Sequence, residues 1–192
     1  GIVAFENKDN STALEYFNSS KILLKKHDAY LKRYVYSLVL DNKVSQAINI
    51  VKNNKDKINT NFFDAYLLLI LDSLKKKDFD KAHFYLKKIT NFTQPDRLNS
   101  AIVESFKQYI HVFKEKKILD NKKNLGKLSI ISETFERCFL KDGSTDKYFS
   151  RLFDDQQSDY TRYIYFYISY LIENNRLNEA EKIVEDIDFI NT

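Results

Sequence analysis

Apolar positions recur along most of the chain at steps of three and four residues, as in Leu98, Ile102, Phe106, Ile110 and Phe113. That spacing belongs to one face of an α-helix. Short polar corners such as Asp41-Asn42-Lys43 and Lys75-Lys76-Lys77-Asp78 interrupt it. The pattern predicts helices over 2–7, about 11–26, 29–40, 44–52, 62–74, 79–89, 97–113, 128–140, 147–153, 160–173 and 177–187. Thr12 or Ser11 is expected to cap the second helix, with Glu15 completing a capping box. Thr93-Gln94-Pro95-Asp96 reads as a stop and restart, since Pro suits a helix's first turn and Thr93 can cap it.

Four stretches share a finer spacing. In each, a polar corner is followed by an Ala (Ala13, Ala47, Ala82, Ala180) and, four positions on, by an apolar residue (Phe17, Val51, Leu86, Val184). The alanines lie 34, 35 and 98 residues apart, the last step being close to three such periods. A fixed period of this size marks stacked helical repeats. A small side chain where two antiparallel helices cross lets their backbones approach, and the larger residue one turn on fills the groove beside it. The sequence Ala65–Leu74 is apolar nearly all round, as expected of a helix held between two neighbours. Between 114 and 158 the register is lost; there Lys147 would take the Ala slot, one period before Ala180.

These slots resemble the tetratricopeptide repeat, in which a first-helix Gly, a corner Gly, an Ala five residues later and a large apolar residue four after that are the markers. Gly1, Lys8, Ala13 and Phe17 occupy them, then Asn42, Ala47 and Val51, then Lys77, Ala82 and Leu86, then Asn175, Ala180 and Val184. Val35, Ile70 and Ile168 replace the small first-helix residue, so the repeats are degenerate. The resemblance implies an all-α solenoid of antiparallel helix pairs, ten to eleven helices in one domain spanning 1–192, least regular over 114–158. It implies a concave face lined by first helices: Ala29, Lys32, Tyr36 and Val39, then Asp64, Leu67, Leu71 and Leu74, then Arg162, Tyr165, Ser169 and Ile172. The Lys-Asn pair with which some family members grip a peptide's carboxylates is missing, because Lys32 is followed by Tyr36. The chain also resembles long bacterial repeat proteins whose members tend to be exported, which favours an exported or periplasmic location over a cytoplasmic one.

Composition supports helices and narrows the chemistry. One Pro and three Gly among 192 residues leave few breakers, and 43% apolar residues can supply a core. No Met is present and the chain starts at Gly, so a fragment of a longer protein is expected. The apolar run Tyr163–Ile172 is about half of what a bilayer span requires. The net charge of +4 hides a split, +10 over residues 1–127 and −6 over 128–192. That split implies either weak, salt-sensitive self-association, pairing Lys114–Lys127 with the acidic stretches at 154–159 or 179–188 of a second copy, or two solvated patches. With 25 Lys beside only 6 Arg, and 17 Asn and 18 Ile, the basic surplus resembles AT-rich coding bias. The Lys114–Lys127 segment lacks interleaved aromatics, which disfavours nucleic acid.

Catalytic signatures are absent from the sequence. His27, His83 and His111 have no metal spacing, Cys138 reads as a small apolar filler, and Gly at positions 1, 126 and 143 builds no phosphate loop. The sequons at Asn10, Asn18 and Asn91 are expected by chance in so Asn-rich a chain. No catalytic, cofactor or metal residue is assigned. The expected role is a non-catalytic interaction scaffold taking a protein or peptide. The alternatives are a self-assembly module, the non-catalytic arm of a larger enzyme, and last a nucleic-acid binder. Residues Ile2, Val3 and Phe5 at one end, or Phe189 and Ile190 at the other, are expected to be partly exposed or covered by a second copy.

Overall fold

In this computed structural model, residues 1–25, 27–54, 62–92, 97–154 and 161–190 are described. They form eleven α-helices and no strand. The chain divides into two compact units, Gly1–Lys114 and Glu115–Thr192.

The first unit holds α1 (Ile2–Glu6), α2 (Asn10–Ser19), α3 (Asp28–Leu40), α4 (Val44–Asn54), α5 (Phe63–Lys75) and α6 (Phe79–Ile89), followed by the long α7 (Arg97–Glu115). From α1 to α6 each helix packs against the next in sequence. Ala13, Ala47 and Ala82 have no exposed surface, and Phe17, Val51 and Leu86 beside them are buried. The core continues through Leu31, Tyr34, Val35, Leu38, Leu69, Ile70 and Ile89. Tyr34 anchors α3 to the preceding pair, donating to the Asn18 side chain at 2.6 Å, and Phe17 meets Tyr30 edge-on with centroids 5.2 Å apart. A Cβ on Gly1 would come within 3.1 Å of the Phe17 ring, so the small residue in that slot has a packing reason.

The corners within pairs are built alike. Lys8, Asn42 and Lys77 in the first unit have φ of 60°, 58° and 57°, in the left-handed region. After each, the next residue's N–H reaches back to the carbonyl five residues earlier: Asp9 to Ala4 (2.9 Å), Lys43 to Leu38 (2.7 Å) and Asp78 to Ser73 (2.9 Å). This is the Schellman closure of a helix C-terminus. Asp9 and Asp78 then cap the following helix, accepting from the N–H of Thr12 (3.1 Å) and Lys81 (3.0 Å). The cap of α2 is therefore Asp9, not Thr12 or Ser11, because the tight turn sets the Asp9 carboxylate beside the helix's free N–H groups. Helix α2 also stops at Ser19 and gives way to a 3-10 turn over Lys21–Lys25, where a single helix to 26 was expected. The expected restart at Thr93 and Pro95 lies outside the described residues.

Helix α7 breaks the pattern. It ends at the left-handed Lys116 (φ 55°), and residues 116–126 follow as an irregular segment with further left-handed turns at Asn121 and Gly126. A second helix is missing there, which is why the register fades in the sequence.

The second unit contains α8 (Lys127–Leu140), α9 (Thr145–Phe153), α10 (Ile164–Glu173) and α11 (Leu177–Ile190). Its corners repeat the design: Lys141 (φ 52°) and Asn175 (φ 59°) precede residues that bond five back, Asp142 to Arg137 (3.0 Å) and Arg176 to Leu171 (2.9 Å). From Lys141 to Asn175 is again 34 residues. The α8–α9 turn is one residue tighter than the others, however. Thr145 N–H reaches only three residues back, to Asp142, whereas Ala13, Ala47, Ala82 and Ala180 each reach four. The buried crossing residue is consequently Thr145, with Phe149 buried one turn on, and Lys147 is exposed. The expectation that Lys147 takes the Ala slot is corrected accordingly. In the last pair Ala180 is buried, but Val184, expected to fill the groove, is 43% exposed.

Side-chain networks hold this unit's turns. Arg137 lies over the Tyr148 ring (4.3 Å) and bonds Glu133 (2.7 Å), Asp142 (3.3 Å) and Ser144 (3.0 Å). Arg176 bonds Glu179 (2.6 Å) and Asp146 (2.8 Å), and Tyr167 donates to the same Asp146 at 3.0 Å.

Candidate functional site

Of the expected concave-face residues, the structure gathers one group along α3 and at the start of α5. Lys32 leaves the first turns of α3, and Tyr36 follows one turn later on the same face. Asp64, in the first turn of α5, faces both. Lys32 Nζ stands 3.9 Å from the Asp64 carboxylate, 5.9 Å from the Tyr36 ring centroid and 6.0 Å from that of Phe62. The Tyr36 hydroxyl donates to Asp64, and burial together with that bond pushes the phenol up to about 12. Tyr36 thus remains a protonated donor across the whole physiological range. The Lys32 side chain is half exposed and that of Asp64 is one-third exposed, so their pairing is worth about 0–1 kcal/mol and can be exchanged for a ligand's groups.

Apolar surface adjoins these polar groups on the same elements. Along α5, Leu67 and Leu74 are half buried and Leu71 is 46% exposed; along α3, Val39 is half buried. A leucine that exposed beside packed neighbours is surface available for contact. In the second unit Arg162, Tyr165 and Ser169 are exposed on α10 and the 3-10 turn before it. There Arg162 lies 5.0 Å over the Tyr163 ring, and Ser169 turns its hydroxyl back to the Tyr165 carbonyl (2.9 Å). Among the described residues they form no cluster comparable with Lys32, Tyr36 and Asp64.

The rest of the expected chemistry is spread out. Among the described residues no group of His, Cys, Asp and Glu could hold a metal ion, and no helix is long and apolar enough to cross a membrane. His27 and His83 are exposed, and His111 is partly buried. Burial, with Glu173 adding to it, pushes the Cys138 thiol up and so suppresses the reactive thiolate. Lysines of the 114–127 segment are partly engaged in structure. Lys114 pairs with Asp80 (2.6 Å), Lys116 sits 4.5 Å over the Phe139 ring, and Lys122 bonds the fully buried Glu136 (3.0 Å). At the start of the chain Ile2 and Val3 are 48% and 70% exposed and Phe5 is half buried, whereas the side chains of Phe189 and Ile190 lie outside what the structure describes.

Two arrangements were not visible in the sequence. Phe62, at the corner of a helix, gave no sign of lying against Lys32. The triad of Lys52, Asp72 and Lys76 left only the ordinary Asp-Lys spacing within α5 as a trace. No family model, curated protein or solved structure matches the chain.

Proposed function

We propose that the chain is a non-catalytic interaction scaffold, an α-solenoid of degenerate tetratricopeptide-like pairs, whose α3–α5 face binds a peptide segment of a partner protein. The observation that carries this is the group formed by Lys32, Tyr36, Phe62 and Asp64 beside the exposed Leu71. Two successive first helices present a cation, a phenolic donor, a carboxylate and a leucine together. A peptide can bind such a surface with its backbone or charged side chains on Lys32 and Asp64 and an apolar side chain against Leu67 and Leu71. The solenoid reading draws support from the shared corner geometry at Lys8, Asn42, Lys77, Lys141 and Asn175. The exported, bacterial setting remains part of the proposal through the same resemblance.

Selection of a displayed random-peptide library against the whole chain tests it. Selected peptides are expected to share a large apolar residue, and Lys32→Glu and Leu71→Asp are each expected to weaken them at least tenfold with folding intact. Failure to enrich any sequence, or variants that bind the selected peptides as tightly as the natural chain, contradicts the assignment.

A further inference from the structure

A separate feature lies between α4 and α5: an open cleft of about 350 Å³ lined by Ser45, Ile48, Asn49, Lys52, Asp72, Lys75 and Lys76. At its base the largely buried Asp72 carboxylate receives Lys52 Nζ at 2.5 Å and Lys76 Nζ at 2.9 Å. Burial pushes that carboxyl up, but the two lysine bonds outweigh it and hold it below the usual carboxylate range. Asp72 therefore stays ionised and fixes two ammonium groups that would otherwise swing freely in solvent. An ammonium has three N–H donors, so each retains capacity beyond the Asp72 bond. Lys75 adds a third positive charge on the cleft wall, with the Ser45 hydroxyl and Asn49 amide as neutral donors.

We infer that this cleft is an anion site for a phosphoryl group, either free phosphate or a phosphorylated residue of a partner. Three ammonium groups against one carboxylate leave a charge of +2 around the cavity. A phosphate monoester carries about −1.5 to −2 at neutral pH and offers three acceptor oxygens, matching that charge and the number of cationic donors. A single carboxylate would leave the cleft positive and fewer donors satisfied. Asp72 does not repel such a ligand outright, because its own charge is already met by Lys52 and Lys76. The cleft is lined by none of the residues of the α3–α5 face, so this site stands or falls independently of peptide binding.

Amide NMR of the ¹⁵N-labelled chain, at constant ionic strength in sodium chloride, tests the inference with two probes: inorganic phosphate, and a short phosphoserine peptide beside its unphosphorylated form. Saturable shifts are expected at Ser45, Ile48, Asn49, Lys52, Lys75 and Lys76. A Lys75→Gln/Lys76→Gln double variant should lose at least tenfold in affinity while its unfolding midpoint is unchanged, and Lys117→Gln/Lys123→Gln should bind as before. Tighter binding of the phosphopeptide than of phosphate assigns a partner's phosphorylated residue, and equal binding assigns the free anion. Shifts that never saturate, that chloride reproduces, or that fall equally in both double variants overturn the site.

Discussion

A lysine in left-handed backbone costs about 1–2 kcal/mol relative to the right-handed region, because its Cβ crowds the following carbonyl. Lys8, Lys77 and Lys141 bear that cost, while Asn42 and Asn175 ease it with a side chain that tolerates this conformation. Lys77→Gly should therefore raise stability by roughly 0.5–1 kcal/mol, the relief being offset partly by the freedom glycine gains in the unfolded chain. Asn42→Gly should gain less, and Lys77→Val should lose stability; a denaturant midpoint ordered Val above Gly would contradict the corner geometry. The crossing alanines make the opposite kind of site. With no exposed surface at Ala47 or Ala82, a leucine must push the helices apart, and each substitution should cost about 1–3 kcal/mol. Unchanged urea midpoints for both would show that these are not crossing points.

At the scale of elements, the local rules were readable where each residue acts within its own turn. Corners and alanine slots were legible because the polar break and the small residue recur at fixed spacing, and the observed helix limits mostly fall within a residue or two of those expected. The α8–α9 turn was misread by two positions because its tightness depends on Asp142 and Ser144 bonding each other and Arg137, which no spacing encodes. The 116–126 segment was opaque for a related reason: what holds it to α8 is Lys122 reaching Glu133 and Glu136, fourteen residues away at the farthest. The same distance limit hid Phe62 beside Lys32. Glu136 also yields a pH test. Burial raises its carboxyl against the pull of Lys122, so its favourable contribution is complete below the unfolded value near 4.5 and is lost as pH rises through the higher folded value. The stability difference between Glu136→Gln and the natural chain should therefore shift in favour of Gln from pH 4 to pH 8. A difference that is flat with pH, or that moves the other way, would contradict the buried setting of Glu136.

Across the whole molecule, helices built on a common corner recur in both units, and the surfaces they leave open differ in character. The first unit presents Lys32, Tyr36, Asp64 and Leu71 together; the second exposes Tyr165, Phe166 and Ile172 on α10. Peptide recognition needs both an apolar contact for affinity and fixed polar groups for orientation, and the α3–α5 face supplies the two side by side. The measurement that tests this most directly is the footprint of a selected peptide on the full chain, read by amide and methyl NMR shifts. The account predicts the largest shifts at Lys32, Tyr36, Asp64, Leu67 and Leu71, abolished by Leu71→Asp. A saturable footprint centred on Phe84 and Leu98, on α10, or on the 116–126 segment would contradict it.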